Sequence, residues 1–236
     1  MDEVYTPLEE AVSFYVRNDF AIYIALMLEN YERLWEMAKI AYKDNSDIID
    51  EFERGVRSVE SVEDVKWLNS LRKRVISELD DAAKSKIIET AKSDISLLLN
   101  AMTPADEPMR LHRSAWVNGA DTEEGAFAFS RDYSSIKTAE NGVFDIGVIT
   151  SCSLTPYRAE DDLGSERFEY IINVPKGFPV LKLDDFLCHN EDGEVLLPPM
   201  RFRVIKRANA VSGGEREMIE LRCDEVLECG AWMRCQ

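Results

Sequence analysis

Apolar residues recur at three- and four-residue spacing through Phe14, Val16, Phe20, Ile24, Met27, Leu28, Tyr31, Leu34, Trp35 and Ala38, the stripe of helices that bury one face. Residues 46–52, 62–79 and 82–99 continue the pattern, with polar breaks expected near Lys43-Asp44-Asn45 and at Gly55. Ser61, followed three residues on by Asp64, reads as a capping box opening the helix that carries Trp67 and Leu68. The period changes at Thr103-Pro104-Ala105-Asp106-Glu107-Pro108, where two prolines end the helical half and start extended chain. Short strands are expected after it, over residues 109–116, 125–129, 144–150, 167–174, 179–183, 194–197, 202–206 and 218–223. Tyr170, Ile172 and Val174 alternate with Ile171 and Asn173, as in a mostly buried strand, and Ser212-Gly213-Gly214 predicts the turn of a C-terminal hairpin.

The chain therefore divides into a helical region, residues 1–104, and a β-rich region, residues 105–236. Two modules and one α+β domain both fit that division, and 236 residues give either ample material for a core. With 45% hydrophobic and 31% charged residues the composition is that of a globular chain. The net charge of −17 repels phosphate backbones, which argues against broad nucleic-acid binding and leaves basic protein partners or plain solubility as its use. Met1-Asp2-Glu3-Val4 lacks the basic and apolar parts of a signal peptide, and the apolar run over residues 20–28 is far short of the ~20 residues that span a membrane. Five cysteines without a compact framework fit a reducing compartment. The expectation is a protein of the cytoplasm, or one delivered into a host cytosol, with no membrane contact.

Several chemistries find no support. Cys223, Cys229 and Cys235 recur at a spacing that matches no short zinc pairing, so no metal is expected. Cys188 and His189 are adjacent on extended chain and point apart, which weakens a thiol nucleophile, and His112 is the only other histidine. Ser212-Gly213-Gly214 is not followed by the lysine of a phosphate loop. Trp35, Trp67 and Trp116 read as core residues.

The most informative stretch is Glu191-Asp192-Gly193-Glu194-Val195-Leu196-Leu197-Pro198-Pro199. Acidic residues close a loop and an apolar strand begins without a spacer, so a carboxylate there is held rigidly while open to solvent. Upstream, an apolar run ends in Thr150-Ser151-Cys152-Ser153, and further upstream Met109-Arg110-Leu111-His112-Arg113 sets an arginine late in a strand. This order resembles the arginine-serine-glutamate signature of the mono-ADP-ribosyltransferases, with His112 in place of the usual aromatic and Cys152 in place of the usual threonine. The likeness covers residues 105–225 and is closest in character to exoenzyme toxins, effectors and phage-encoded arginine-modifying members.

The resemblance implies one integrated α+β domain, with N-terminal helices packed on a mixed, mostly antiparallel two-sheet core. It also implies NAD as co-substrate, with no metal. Glu194 would stabilise the cationic ribose, Ser151 would brace it, Arg113 and Ser153 would hold NAD, and Tyr157 and Arg158 would close over it. Asp192, with Glu191 beside it, takes the acceptor-activating position, and Phe186 and His189 would present the acceptor. A carboxylate there suits a guanidinium, which makes arginine on a target protein the favoured acceptor. The relatives usually carry glutamate or glutamine where Asp192 stands, so an NAD glycohydrolase using water, or a catalytically silent binding module on the same fold, are the alternatives.

Overall fold

The computed structural model describes residues 4–16, 20–76, 78–116, 142–156, 167–186, 193–209 and 217–228. The chain divides into two compact units, Met1–Ala101 and Met102–Gln236.

Local sequence fixes the helix ends of the first unit. Thr6 caps α1 (Pro7–Phe14): its hydroxyl accepts the Glu9 amide, Glu9 accepts the Thr6 amide at 2.7 Å, and Pro7 fills a first turn that needs no amide proton. Helix α2 (Phe20–Met27) is apolar on every side and Ala21 through Met27 are buried, so it is central to this unit and packs on its neighbours α3 and α5. Helix α3 (Tyr31–Glu53) starts at the cap Asn30 and runs through Lys43-Asp44-Asn45, where a break was expected. Its buried stripe continues from Tyr42 to Ile49 across these residues, and none of the three forbids helical backbone. The break at Gly55 does occur: its φ of 73° is the left-handed stop that glycine supplies. Helix α4 (Val62–Arg74) opens with the expected Ser61–Asp64 box and stops short of residue 79, because the chain straightens before Asp80 caps α5 (Asp81–Asn100). Trp67 is buried against Phe14, ring centroids 4.9 Å apart, whereas Trp35 is only half-buried. Among the described residues no helix is long and apolar enough to cross a membrane.

The second unit holds β1 (Thr103–Pro104), β2 (Met109–Trp116), β3 (Val143–Ile146), β4 (Thr150–Ser153), β5 (Arg167–Val174), β6 (Pro179–Lys182), β7 (Glu194–Leu197), β8 (Met200–Asn209) and β9 (Glu217–Val226). The expected strand 144–150 is two strands that part at Gly147. The expected strand 125–129 and the turn at 212–214 lie outside the described residues. Among the described residues all pairings are antiparallel except β5 with β9.

The two-sheet expectation needs correcting. Among the described residues the strands form one nine-stranded sheet in the order β1-β6-β7-β4-β2-β5-β9-β8-β3. Its two parts, β1-β6-β7-β4 and β2-β5-β9-β8-β3, are joined only by the pairing of His112 with Ser153. That sheet cannot be flat. Strand β7 lies five places from β8, about 24 Å in a flat sheet at the usual strand spacing. Yet Leu197 and Met200 are separated only by Pro198 and Pro199, a link that reaches at most about 11 Å. The equally distant β3 and β4 are joined by the short link 147–149. Both links force the sheet to curl until its two parts face each other. The curl gives the layering of a sandwich with a continuous ladder. Leu111, Cys152, Tyr170, Ile172, Val195, Leu197, Ile219 and Leu221 share one face by register and are all buried. The other face carries Arg110, His112, Glu169, Asn173 and Glu220, interleaved with Ile171 and Leu196.

Candidate active site

The thin join between β2 and β4 is where the candidate residues meet. Antiparallel pairing sets Ser153 opposite Glu194 and Ser151 opposite Leu196, so alternation puts Ser151, Ser153 and Glu194 on one face. Ser151 Oγ donates to Glu194 Oε1 along the diagonal of that ladder. The loop entering β7 is anchored as well. Gly193, at φ 59°, turns the chain, and its carbonyl accepts the Leu154 amide at 3.0 Å. Backbone on both sides thus fixes the Glu194 carboxylate, which remains part-exposed.

Arg113 follows the single paired residue of the join. By alternation it shares the side of Leu111 and Tyr170, and its Nη1 donates to the Ser151 main-chain carbonyl across the join. A guanidinium therefore supplies a hydrogen bond where the ladder itself lapses. Cys152 senses the same group. Burial pushes its thiol up to about 12, Arg113 pulls against that, and Glu194 adds to it. Such a thiol stays protonated near neutrality, and Cys152 acts as a core residue between two serines that face the other way. Ser153 Oγ lies 3.0 Å from Thr155 Oγ1 and accepts the Thr155 amide at 3.1 Å, which ties down the chain leaving β4.

The structure thus brings Ser151, Ser153 and Glu194 together on one face and ties Arg113, from the other side, to the Ser151 main-chain carbonyl. Phe186 is half-buried just after a short turn over Leu183–Asp185, its amide donating to the Leu183 carbonyl at 2.9 Å. Tyr157, Arg158, His189, Glu191 and Asp192 lie outside the described residues. Sequence reasoning missed Glu169, whose Oε1 lies 2.9 Å from His112 Nδ1. The available signal was an acidic residue between the aromatics Phe168 and Tyr170. Among the described residues no group of three or more His, Cys, Asp or Glu is placed to hold a metal ion.

A rigid carboxylate braced by a hydroxyl, with a guanidinium two strands away, can stabilise a positive centre while a cation meets an anion on the same molecule. No family model matches the chain, and no curated protein matches its sequence. Solved structures do match in fold. The catalytic domain of VahC from Aeromonas hydrophila is 14% identical, covering 93% of this chain and 99% of that one at a TM-score of 0.50. The ATR domain of Salmonella SpvB is 12% identical, covering 94% and 100% at a TM-score of 0.50. Plx2a, an ADP-ribosyltransferase toxin from Paenibacillus larvae, is 17% identical, covering 63% and 76% at a TM-score of 0.44. The chain has the α+β fold of the bacterial ADP-ribosyltransferases.

Proposed function

We propose that the chain is a mono-ADP-ribosyltransferase that cleaves NAD at the nicotinamide–ribose bond and transfers ADP-ribose to a protein side chain, arginine in the first instance. The observation that carries this reading is the Ser151–Glu194 hydrogen bond, with Arg113 bonded to the carbonyl of the same Ser151. In the reaction the bond from ribose C1′ to the nicotinamide nitrogen breaks, and its electron pair leaves with neutral nicotinamide. The ribose centre becomes cationic, as in glycoside cleavage. Glu194 stabilises that charge, and Ser151 keeps the carboxylate aimed. A guanidinium has five donors in a planar fork, so Arg113 can bond the Ser151 carbonyl and a phosphate oxygen together. Ser153 supplies a further hydroxyl toward the co-substrate. The acceptor nitrogen then attacks C1′ from the opposite face, inverting it, and sheds its proton to Asp192 or Glu191. Tyr157 and Arg158 are assigned to closing over NAD, and Phe186 and His189 to presenting the acceptor.

The test is incubation of the protein and its Glu194→Gln variant with labelled NAD and a host-cell extract, following protein-bound label and free nicotinamide. Wild type should label discrete proteins, and the variant should lose about 100-fold or more of that rate. Nicotinamide release without labelled protein would instead indicate NAD glycohydrolase activity. If wild type neither binds nor cleaves NAD, the fold serves here as a silent binding module and the transferase reading is wrong.

A further inference from the structure

His112 and Glu169 take no part in the cleavage just described, yet they form a built pair. Their side chains are 12% and 15% exposed, within the central strands β2 and β5. Two apolar residues would bury as well there without the desolvation cost of a carboxylate. Register explains the contact: His112 faces Ile171, and Glu169 is two residues along on the same face. An ionised carboxylate only accepts, so the ring proton facing it sits on Nδ1.

The two ring nitrogens lie on opposite edges of an imidazole. With Nδ1 turned toward β5, Nε2 is turned outward on the β4 side. There Ser153 is the direct neighbour of His112, and Glu194 is the direct neighbour of Ser153. In the neutral ring Nε2 is an acceptor, and among the described residues nothing donates to it.

On the reading that this site binds NAD, we propose that His112 is a binding residue for it: Nε2 accepts a hydroxyl hydrogen of the co-substrate. Glu169 is the positioning residue that fixes the ring and its tautomer. The chemistry selects a hydroxyl. An acceptor nitrogen repels phosphate oxygens and attracts O–H, and the O–H donors of NAD are its ribose hydroxyls. Strand spacing adds a location. His112 and Glu194 are two strands apart, roughly 10 Å at the backbone. The hydroxyl that reaches His112 therefore belongs to a part of NAD away from the carbon that Glu194 serves. Such a contact is present before and during bond cleavage, so it acts on binding rather than on turnover.

The experiment measures NAD affinity by calorimetry and nicotinamide release by steady-state kinetics, for wild type, His112→Phe, Glu169→Gln and the double variant. His112→Phe should weaken NAD binding and raise KM by about three- to tenfold, the worth of one hydrogen bond, with kcat unchanged. The double variant should bind no more weakly than His112→Phe alone, since Glu169 acts through the ring. NAD analogues each lacking one ribose hydroxyl identify the partner, because the His112→Phe penalty should vanish for one of them. A penalty that persists with every such analogue would assign the contact to phosphate and overturn the hydroxyl assignment. Equal affinity of wild type and His112→Phe, or a loss carried by kcat, overturns the binding role. His112→Gln, which keeps an acceptor, should recover part of the affinity if His112→Phe folds poorly. If wild type binds no NAD while remaining folded, the reading of the site itself has failed, and His112 with it.

Discussion

Arg74 is a charged residue only 7% exposed, and the first unit is arranged around it. Its guanidinium carbon lies 3.5 Å from the Phe14 ring centre, and Nη1 meets Asp94 at 2.8 Å. Tyr23 donates to the same Asp94 oxygen at 2.8 Å, and Glu10 stands 3.9 Å from Nε. Burial disfavours the Arg74 charge, but Tyr23 and Asp94 more than restore it, so its pKa lies above the ordinary value. Asp94 behaves oppositely: burial raises its pKa, and the pull of Arg74 and of the Tyr23 hydroxyl does not cancel that. The folded state therefore holds the Asp94 proton more readily than the unfolded chain does. Its contribution to stability grows as pH falls through the folded pKa and is lost as pH rises through it. Removing the cation should sharpen this. Arg74→Met should cost roughly 3–5 kcal/mol near pH 8, by stranding a buried carboxylate. The cost should shrink by pH 5, as Asp94 takes up a proton. Urea unfolding of both proteins at the two pH values checks it. An equal cost at both would mean that Asp94 is not the group left stranded.

At the scale of elements, the junction into β7 is the sharpest case. Gly193 has a φ of 59°, and a Cβ built on it would stand 3.0 Å from Leu154 Cδ1 and 3.1 Å from Leu154 Cβ. Gly193→Ala is thus strained twice, by its backbone and by a neighbour on the chain leaving β4. The expected cost is about 1–3 kcal/mol, with loss of nicotinamide release because the next residue is Glu194. Adding Leu154→Ala should recover the part owed to Leu154 Cδ1 and leave the part owed to φ and to the retained Cβ. Unfolding midpoints of both variants separate the two, and a Gly193→Ala protein as stable as wild type would refute the strained junction. The sequence showed this junction because acidic loop and apolar strand abut there. It showed β2 and β5 to their ends, since Pro104 and Pro108 open the extended chain just before Met109, and the alternation of Tyr170, Ile172 and Val174 runs up to Pro175. It hid the division between β3 and β4, because Val148 and Ile149 are buried in the link itself and read as more strand.

At the scale of the whole molecule, the division into a helical and a β-rich half followed from periodicity and the α+β class from the family resemblance, whereas the single curled sheet followed from neither. Nothing in Leu197-Pro198-Pro199-Met200 says that β7 and β8 stand five places apart. Strand order is a long-range property, and only the pairings reveal that so short a link must bend the sheet. The pairing of His112 with Glu169 was hidden for the same reason, being set by register across strands 57 residues apart in sequence. Charge is a long-range property that the sequence does expose. A chain of net charge −17 repels anionic NAD and attracts a basic acceptor, and salt weakens both effects, with a screening length of about 10 Å at 0.1 M. On the proposed function the two substrates should respond oppositely to ionic strength. Between 20 and 200 mM salt, KM for NAD should fall, and kcat/KM for an arginine-rich acceptor should drop as well, each on the order of threefold. Initial rates with each substrate varied in turn distinguish the two trends. If KM for NAD rises with salt, local cations such as Arg113 govern its approach and the net charge does not.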